Sequence, residues 1–80
     1  MEILYSKQAE KFLDKLTDKH VAILANAIHG LTFKPPKGDI RKLKGRKGEK
    51  RLRVGAIRVI YKEAEDMIYV SGIDFRGSIY

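Results

Sequence analysis

Two periodicities divide the chain. In its first third, apolar residues return every three or four positions. Ala9, Phe12, Leu13 and Leu16 fall at i, i+3, i+4 and i+7, and Val21, Leu24, Ile28 and Leu31 repeat the stripe. That spacing lines one face of an α-helix. Ser6 precedes the first stripe as an N-cap, and Thr17 with Asp18 interrupts it and caps a second helix. Two helices joined by so short a break are expected to run antiparallel as a hairpin. Lys34-Pro35-Pro36-Lys37-Gly38 ends the helical part, because a residue before proline is pushed out of the helical region. Beyond it the period becomes two. In Arg51-Leu52-Arg53-Val54 charged and apolar residues alternate. Gly55-Ala56 suits a two-residue hairpin loop, with Gly in the first central position that a type II′ turn favours, and Ile57-Arg58-Val59-Ile60-Tyr61 is the return strand. Glu63 to Asp66 reads as an acidic turn and Met67 to Ile73 as a further strand. Glu2–Tyr5 predicts a short first strand, and Ile40 with Leu43 gives a weak strand signal. Helices first and strands afterwards imply an α+β fold. An N-terminal antiparallel helical hairpin covers an antiparallel β-sheet of three to four strands, in a single domain over residues 1–80.

Charge sharpens this picture. The formal net charge is +7, and it is unevenly placed. Residues 1–33 balance, with four Lys against four Asp and Glu. Residues 34–62 carry 12 Lys and Arg against two acids, a net +10, and residues 63–80 carry one Arg against four acids, a net −3. The excess therefore lies on the predicted hairpin and its approaches. With Gly55-Ala56 as the loop, Val54 faces Ile57 and Leu52 faces Val59 on the inner side, while Arg53 lies opposite Arg58 on the outer side. Like charges so placed are unfavourable by roughly 0.2–1 kcal/mol. Two readings follow. The arginines face solvent as an ordinary charged sheet surface, or Arg51, Arg53 and Arg58 converge on an anion, for which a guanidinium fork suits phosphate oxygens. Lys42, Lys44, Arg46, Lys47 and Lys50, with Lys34 and Lys37, read as a diffuse field attracting a nucleic-acid backbone.

The remaining chemistry is sparse. There is no Cys, and His20 and His29 have no ligand cluster around them, which argues against disulfides and a bound metal. Both histidines lie off the apolar stripes and are expected to face solvent. No run approaches a membrane span and no secretory h-region opens the chain, so a cytoplasmic domain is expected. Tyr61 continues the inner alternation into the core, Tyr5 packs near the sheet edge, and Tyr69 fits either core or face. Arg76 and Tyr80 follow the last strand. Tyr80 can stack on a base or exchange a proton, or be simply an exposed terminal phenol.

Asp39-Ile40-Arg41-Lys42-Leu43-Lys44-Gly45, Arg51-Leu52-Arg53-Val54-Gly55, Ile57-Arg58-Val59-Ile60-Tyr61 and the closing Arg76-Gly77-Ser78-Ile79-Tyr80 resemble the RelE/ParE toxin superfamily of toxin–antitoxin modules. The opening Tyr5-Ser6-Lys7-Gln8-Ala9 with Phe12-Leu13-Asp14-Lys15-Leu16 fits as well. The resemblance spans essentially the whole chain. RelE-like members are ribosome-dependent endoribonucleases that cut messenger RNA in the A site. They use 2′-hydroxyl attack without metal, leaving a 2′,3′-cyclic phosphate and a 5′-hydroxyl. The resemblance implies catalytic roles for Arg51, Arg53, Arg58, Arg76 and Tyr80, no cofactor, and a cognate antitoxin as partner beside the ribosome and messenger RNA. Two departures stand out. Phe75 occupies a position where many relatives carry His, and no Glu or His base is evident, which leaves proton transfer to Arg, Lys or Tyr. The ParE branch, which poisons DNA gyrase, is the alternative, as is a non-catalytic binder of nucleic acid or ribosomes. The retained basic positions favour the nuclease branch.

Overall fold

The computed structural model describes residues 1–75 of the chain. Its elements in order are β1 (Glu2–Tyr5), α1 (Lys7–Asp14), α2 (Asp18–His29), a 3-10 turn (Gly30–Thr32), β2 (Asp39–Lys42), β3 (Glu49–Val54), β4 (Ile57–Ala64) and β5 (Met67–Phe75). The caps read from the sequence are in place. The Ser6 hydroxyl accepts from the Ala9 N–H at 3.1 Å, and that of Thr17 accepts from the His20 N–H at 3.3 Å. Each satisfies one of the N–H groups that a helix start leaves without a partner. The second apolar stripe outlasts its helix, since Leu31 lies in the 3-10 turn.

The sheet is larger than expected and is mixed. It has five strands in the order β1-β5-β4-β3-β2, with β1 parallel to β5 and the other pairs antiparallel. Alternation marks a strand without naming its neighbour. The pairing of Glu2 with Met67 joins opposite ends of the chain and carries no local signal. Val54 pairs with Ile57 around Gly55-Ala56, with φ +60° at Gly55 and an ordinary negative φ at Ala56. That sign pattern is the one a type II′ turn requires. The acidic turn is shorter than read: β4 continues through Glu63 and Ala64, which leaves Glu65-Asp66 as the loop. Gly38 is held at φ +126°, and a Cβ there would lie 2.6 Å from Leu52 Cδ1. Only glycine lets β2 start this close to β3.

Ala9, Leu24, Ile28 and Leu31 pack with Leu52, Ile57, Val59, Tyr61, Ile68, Val70 and Ile73 as one core. The helices therefore cover one face of the sheet. Ile60 is buried as well, yet it stands outside this cluster because alternation turns it to the other face. Among the described residues no helix covers that second face, and none is long and apolar enough to cross a membrane.

Candidate nucleic-acid interface

The register sets the open face in transverse rows. From β2 to β5, Asp39 pairs with Arg53, Arg53 with Arg58, and Arg58 with Asp74. The charges across this row run minus, plus, plus, minus. The next row is Arg41, Arg51, Ile60 and Gly72. The predicted opposition of Arg53 and Arg58 is thus present. Carboxylates on the two flanking strands, which the hairpin pattern could not reveal, compensate it.

The two acids hold the arginines unequally. Asp74 takes Arg58 in a two-pronged grip: Nε donates to Oδ1 at 3.1 Å and Nη2 to Oδ2 at 2.9 Å. This fork-on-carboxylate geometry is the strong form of the contact, and both side chains are about three-quarters to two-thirds covered. Asp39 is shared. Arg51 Nη2 donates to its Oδ1 at 3.4 Å, and Arg53 Nε stands 3.7 Å from its Oδ2, an ion-pair distance too long for a hydrogen bond. The buried Nε atoms of Arg51 and Arg53 have no hydrogen-bond partner among the described residues. Such a donor costs roughly 1–3 kcal/mol when left unmet. The face is therefore charged and incompletely satisfied.

Beside this row lies an open cleft of about 540 Å³. Arg58 and Ile60 enter it from β4, Gly72 and Asp74 from β5, Leu43, Lys44 and Arg46 from the β2–β3 loop, and Gln8 from α1. Leu43 and Ile60 give it apolar lining, and Lys44, Arg46 and Arg58 line it as cations. A β-bulge in the β4–β5 pairing adjoins it: Ile60 meets Gly72 but Tyr61 meets Val70, so Ser71 is left over.

The diffuse basic residues separate on inspection. Lys44 and Arg46 line the cleft, with Arg46 also paired to Glu49 at 3.3 Å. Lys47 is exposed in the same loop. Lys42 and Lys50 fall in the row of Tyr61, whose side chain is in the core, so they project from the helix-bearing side, away from the arginines. Lys50 is tied there to Glu63 at 3.1 Å. Lys37 lies over the Phe33 ring at 4.7 Å. Arg76 and Tyr80 lie outside the described residues.

Tyr61 is wholly buried, and burial, with a smaller push from the Glu63 charge, raises its phenol to about 12. Burial also raises Tyr5. Neither phenol is a proton donor suited to neutral pH. Tyr69, between buried Ile68 and Val70, belongs to the open face. His20 and His29 are exposed. Among the described residues no three His, Cys, Asp or Glu side chains come together as metal ligands. Sequence reasoning missed Arg41, Asp39 and Asp74 as members of this face. The period-two phase of β2 offers a signal for Arg41, whereas the acids are identified only by strand pairing.

Residues 3–80 match the family model described as the ParE toxin of type II toxin–antitoxin systems, parDE. Among solved structures, the chain is similar to the archaeal RelE–RelB complex from Pyrococcus horikoshii OT3, with 27% identity over 96% of each chain and a TM-score of 0.78. It is also similar to the RelB–RelE antitoxin–toxin complex from Methanococcus jannaschii, with 26% identity over 96% of this chain and 94% of that one and a TM-score of 0.72. YafQ from E. coli shares the fold at 17% identity, with a TM-score of 0.77 over 98% of this chain and 96% of that one. Among curated protein sequences none matches.

Proposed function

The chain belongs to the ParE toxin family of type II toxin–antitoxin systems, and from that premise we propose that it arrests translation by cutting messenger RNA in the ribosomal A site. The observation that carries this reading is the sheet face that no helix covers among the described residues, where Arg53 pairs with Arg58 and Arg58 lines a cleft together with Ile60 and Gly72. A gyrase-directed peptide surface has no need of adjacent arginines held flat by carboxylates. A polynucleotide does, since a guanidinium fork matches phosphate oxygens.

The roles divide by position. Arg58, in the cleft, stabilises the charge that builds on the phosphorane when the 2′-hydroxyl attacks. Arg51 and Arg53 hold the flanking backbone, and Lys44 and Arg46 draw it in. Arg76 and Tyr80 keep the contact and stacking or proton-transfer roles that the family resemblance implies. The ribosome supplies the in-line geometry of the RNA. The reaction takes place in the cytoplasm and uses no cofactor or metal. A cognate antitoxin restrains it, with acidic residues for the arginine face. Its apolar residues fit the second groove, of about 280 Å³, between α2 and the β3–β4 hairpin tip.

The test is to induce the chain in cells and map messenger RNA ends with and without translation. Breaks should be phased to the A-site codon, end in 2′,3′-cyclic phosphate, and vanish when the codon carries a 2′-deoxy sugar. Continued translation with collapse of DNA supercoiling would assign the chain to gyrase instead.

A further inference from the structure

We propose that Asp74 is the general base of this site, taking the proton of the attacking 2′-hydroxyl while Arg58 holds the carboxylate in place. The inference rests on the nuclease reading above and supplies a proton acceptor where, among the described residues, no His or Glu stands.

Three observations carry it. First, Asp74 is the only acid among the described residues that line the cleft. Asp39, at the far end of the same row, is turned to Arg51 and Arg53 and does not line it. Second, the grip of Arg58 leaves the carboxylate competent. One contact to each oxygen, at 3.1 and 2.9 Å, occupies one lone pair on each, and an ionised carboxylate offers about four such sites. The Asp74 side chain remains one-third exposed, so a hydroxyl can reach it. Third, the surroundings make sense of an acid where a polyanion binds. A lone carboxylate would repel phosphate, but Lys44, Arg46 and Arg58 share the cleft with it. The bare Gly72 backbone, two residues before it, leaves the floor open for a ribose to settle beside the carboxylate. A Cβ at Gly72 would meet only Gln8 Oε1, at 3.4 Å, so packing does not require the glycine.

The step balances. A free oxygen lone pair of Asp74 takes the 2′-hydroxyl proton as the 2′-oxygen bonds to phosphorus. The P–O5′ bond breaks, and the departing 5′-oxygen takes a proton from water. Asp74 then returns its proton to the hydroxide so formed. The products are the 2′,3′-cyclic phosphate and the 5′-hydroxyl, and the protein is unchanged. Arg58 is thus shared between the base and the phosphorane oxygens on the cation-rich side.

The experiment is single-turnover cleavage of messenger RNA on programmed ribosomes by the full chain, measured as a function of pH. Among the described residues, the charged groups that share the cleft with Asp74 are Arg58 from β4 and Lys44 and Arg46 from the β2–β3 loop. The wild-type rate should fall on acidification. Asp74→Asn should be slower by about 10²-fold or more, the scale of a lost general base, and should lose that acid limb while its ribosome affinity holds or tightens. Asp74→Glu should recover part of the rate, and Asp74→Ser serves as a second carboxylate-free variant should the amide misfold. An Asp74→Asn protein as fast as wild type, or faster, overturns the inference. So does a slowing by one constant factor at every pH, which would make Asp74 only a prop for Arg58. A wild-type chain that cuts no ribosome-bound RNA refutes the nuclease reading itself, an outcome distinct from either.

Discussion

Tyr61 shows at a single residue how a core can tolerate an error in polarity. Its ring fills the space between sheet and helices, and it is the largest fully buried side chain. Its hydroxyl has no hydrogen-bond partner among the described residues. Shape is therefore served and polarity is not. Tyr61→Phe should keep the shape and remove the unmet group, raising stability by about 1 kcal/mol, read as a higher urea midpoint at unchanged slope. The phenol also links stability to alkali. Its folded value lies above the ordinary 10.0, at about 12, chiefly through burial. The folded protein thus binds this proton more tightly than the unfolded chain does. Its contribution is complete below pH 10 and is lost as pH climbs towards 12. The advantage of Tyr61→Phe should widen over that window by roughly 2 kcal/mol. A constant gap between the two proteins would mean the phenol is solvated when folded.

At the scale of elements, the join between β1 and β5 is completed by a side chain. β1 ends at Tyr5, but β5 runs on to Phe75, so its edge would stand bare beyond Val70. The Ser6 N–H donates to Val70 O at 2.9 Å, and the Ser6 hydroxyl donates to Ser71 O at 2.9 Å. Gln8 then takes over from the backbone. Its Nε2 donates to Ile73 O at 2.7 Å, and its Oε1 accepts from the Ile73 N–H at 2.8 Å. The first turn of α1 thereby acts as a strand and fixes the helix against the sheet. It also holds the stretch of β5 that presents Asp74. Gln8→Ala leaves both Ile73 groups unmet in a part-buried place, at a cost of roughly 1–3 kcal/mol. Amide exchange should quicken at Ile73 ahead of its neighbours in β4. Equal loosening across the whole sheet would show that Gln8 adds only to global stability.

At the scale of the molecule, charge is segregated. The helices are neutral overall, and most of the net +10 of residues 34–62 lies on β2, β3, the loop between them and β4, with Lys34 and Lys37 just before β2. Such a field reaches about 8–10 Å at ordinary ionic strength and steers acidic partners before contact. Association with the product of the neighbouring open reading frame, as candidate antitoxin, should slow steeply with added salt in stopped-flow mixing. Dissociation should change less, because it depends on the apolar groove lined by Ile23, Leu24 and Ile57. An association rate indifferent to salt, or to the Arg53→Ala/Arg58→Ala double substitution, would place that partner away from the basic face.

Whatever depends on near neighbours is legible in the sequence alone. Helix stripes, the Ser6 and Thr17 caps and the Gly55-Ala56 turn follow from local spacing and local hydrogen bonds. The opposition of Arg53 and Arg58 follows from the turn, since a two-residue loop dictates the register of its own hairpin. Pairing between distant segments was beyond it. The parallel seam of Glu2–Tyr5 with β5 and the full count of five strands belong to this class, because alternation specifies a strand and not its neighbour. The same limit hid the chemistry. Asp39 and Asp74 are separated from their arginines by 12 to 16 positions along the chain, and only the pairing of β2 and β5 with the hairpin turns a run of basic residues into a row with an acid at each end. Lys50 shows the opposite limit: its charge is visible in the sequence, but the phase of β3 sends it with Leu52 towards the helices and away from Arg51 and Arg53.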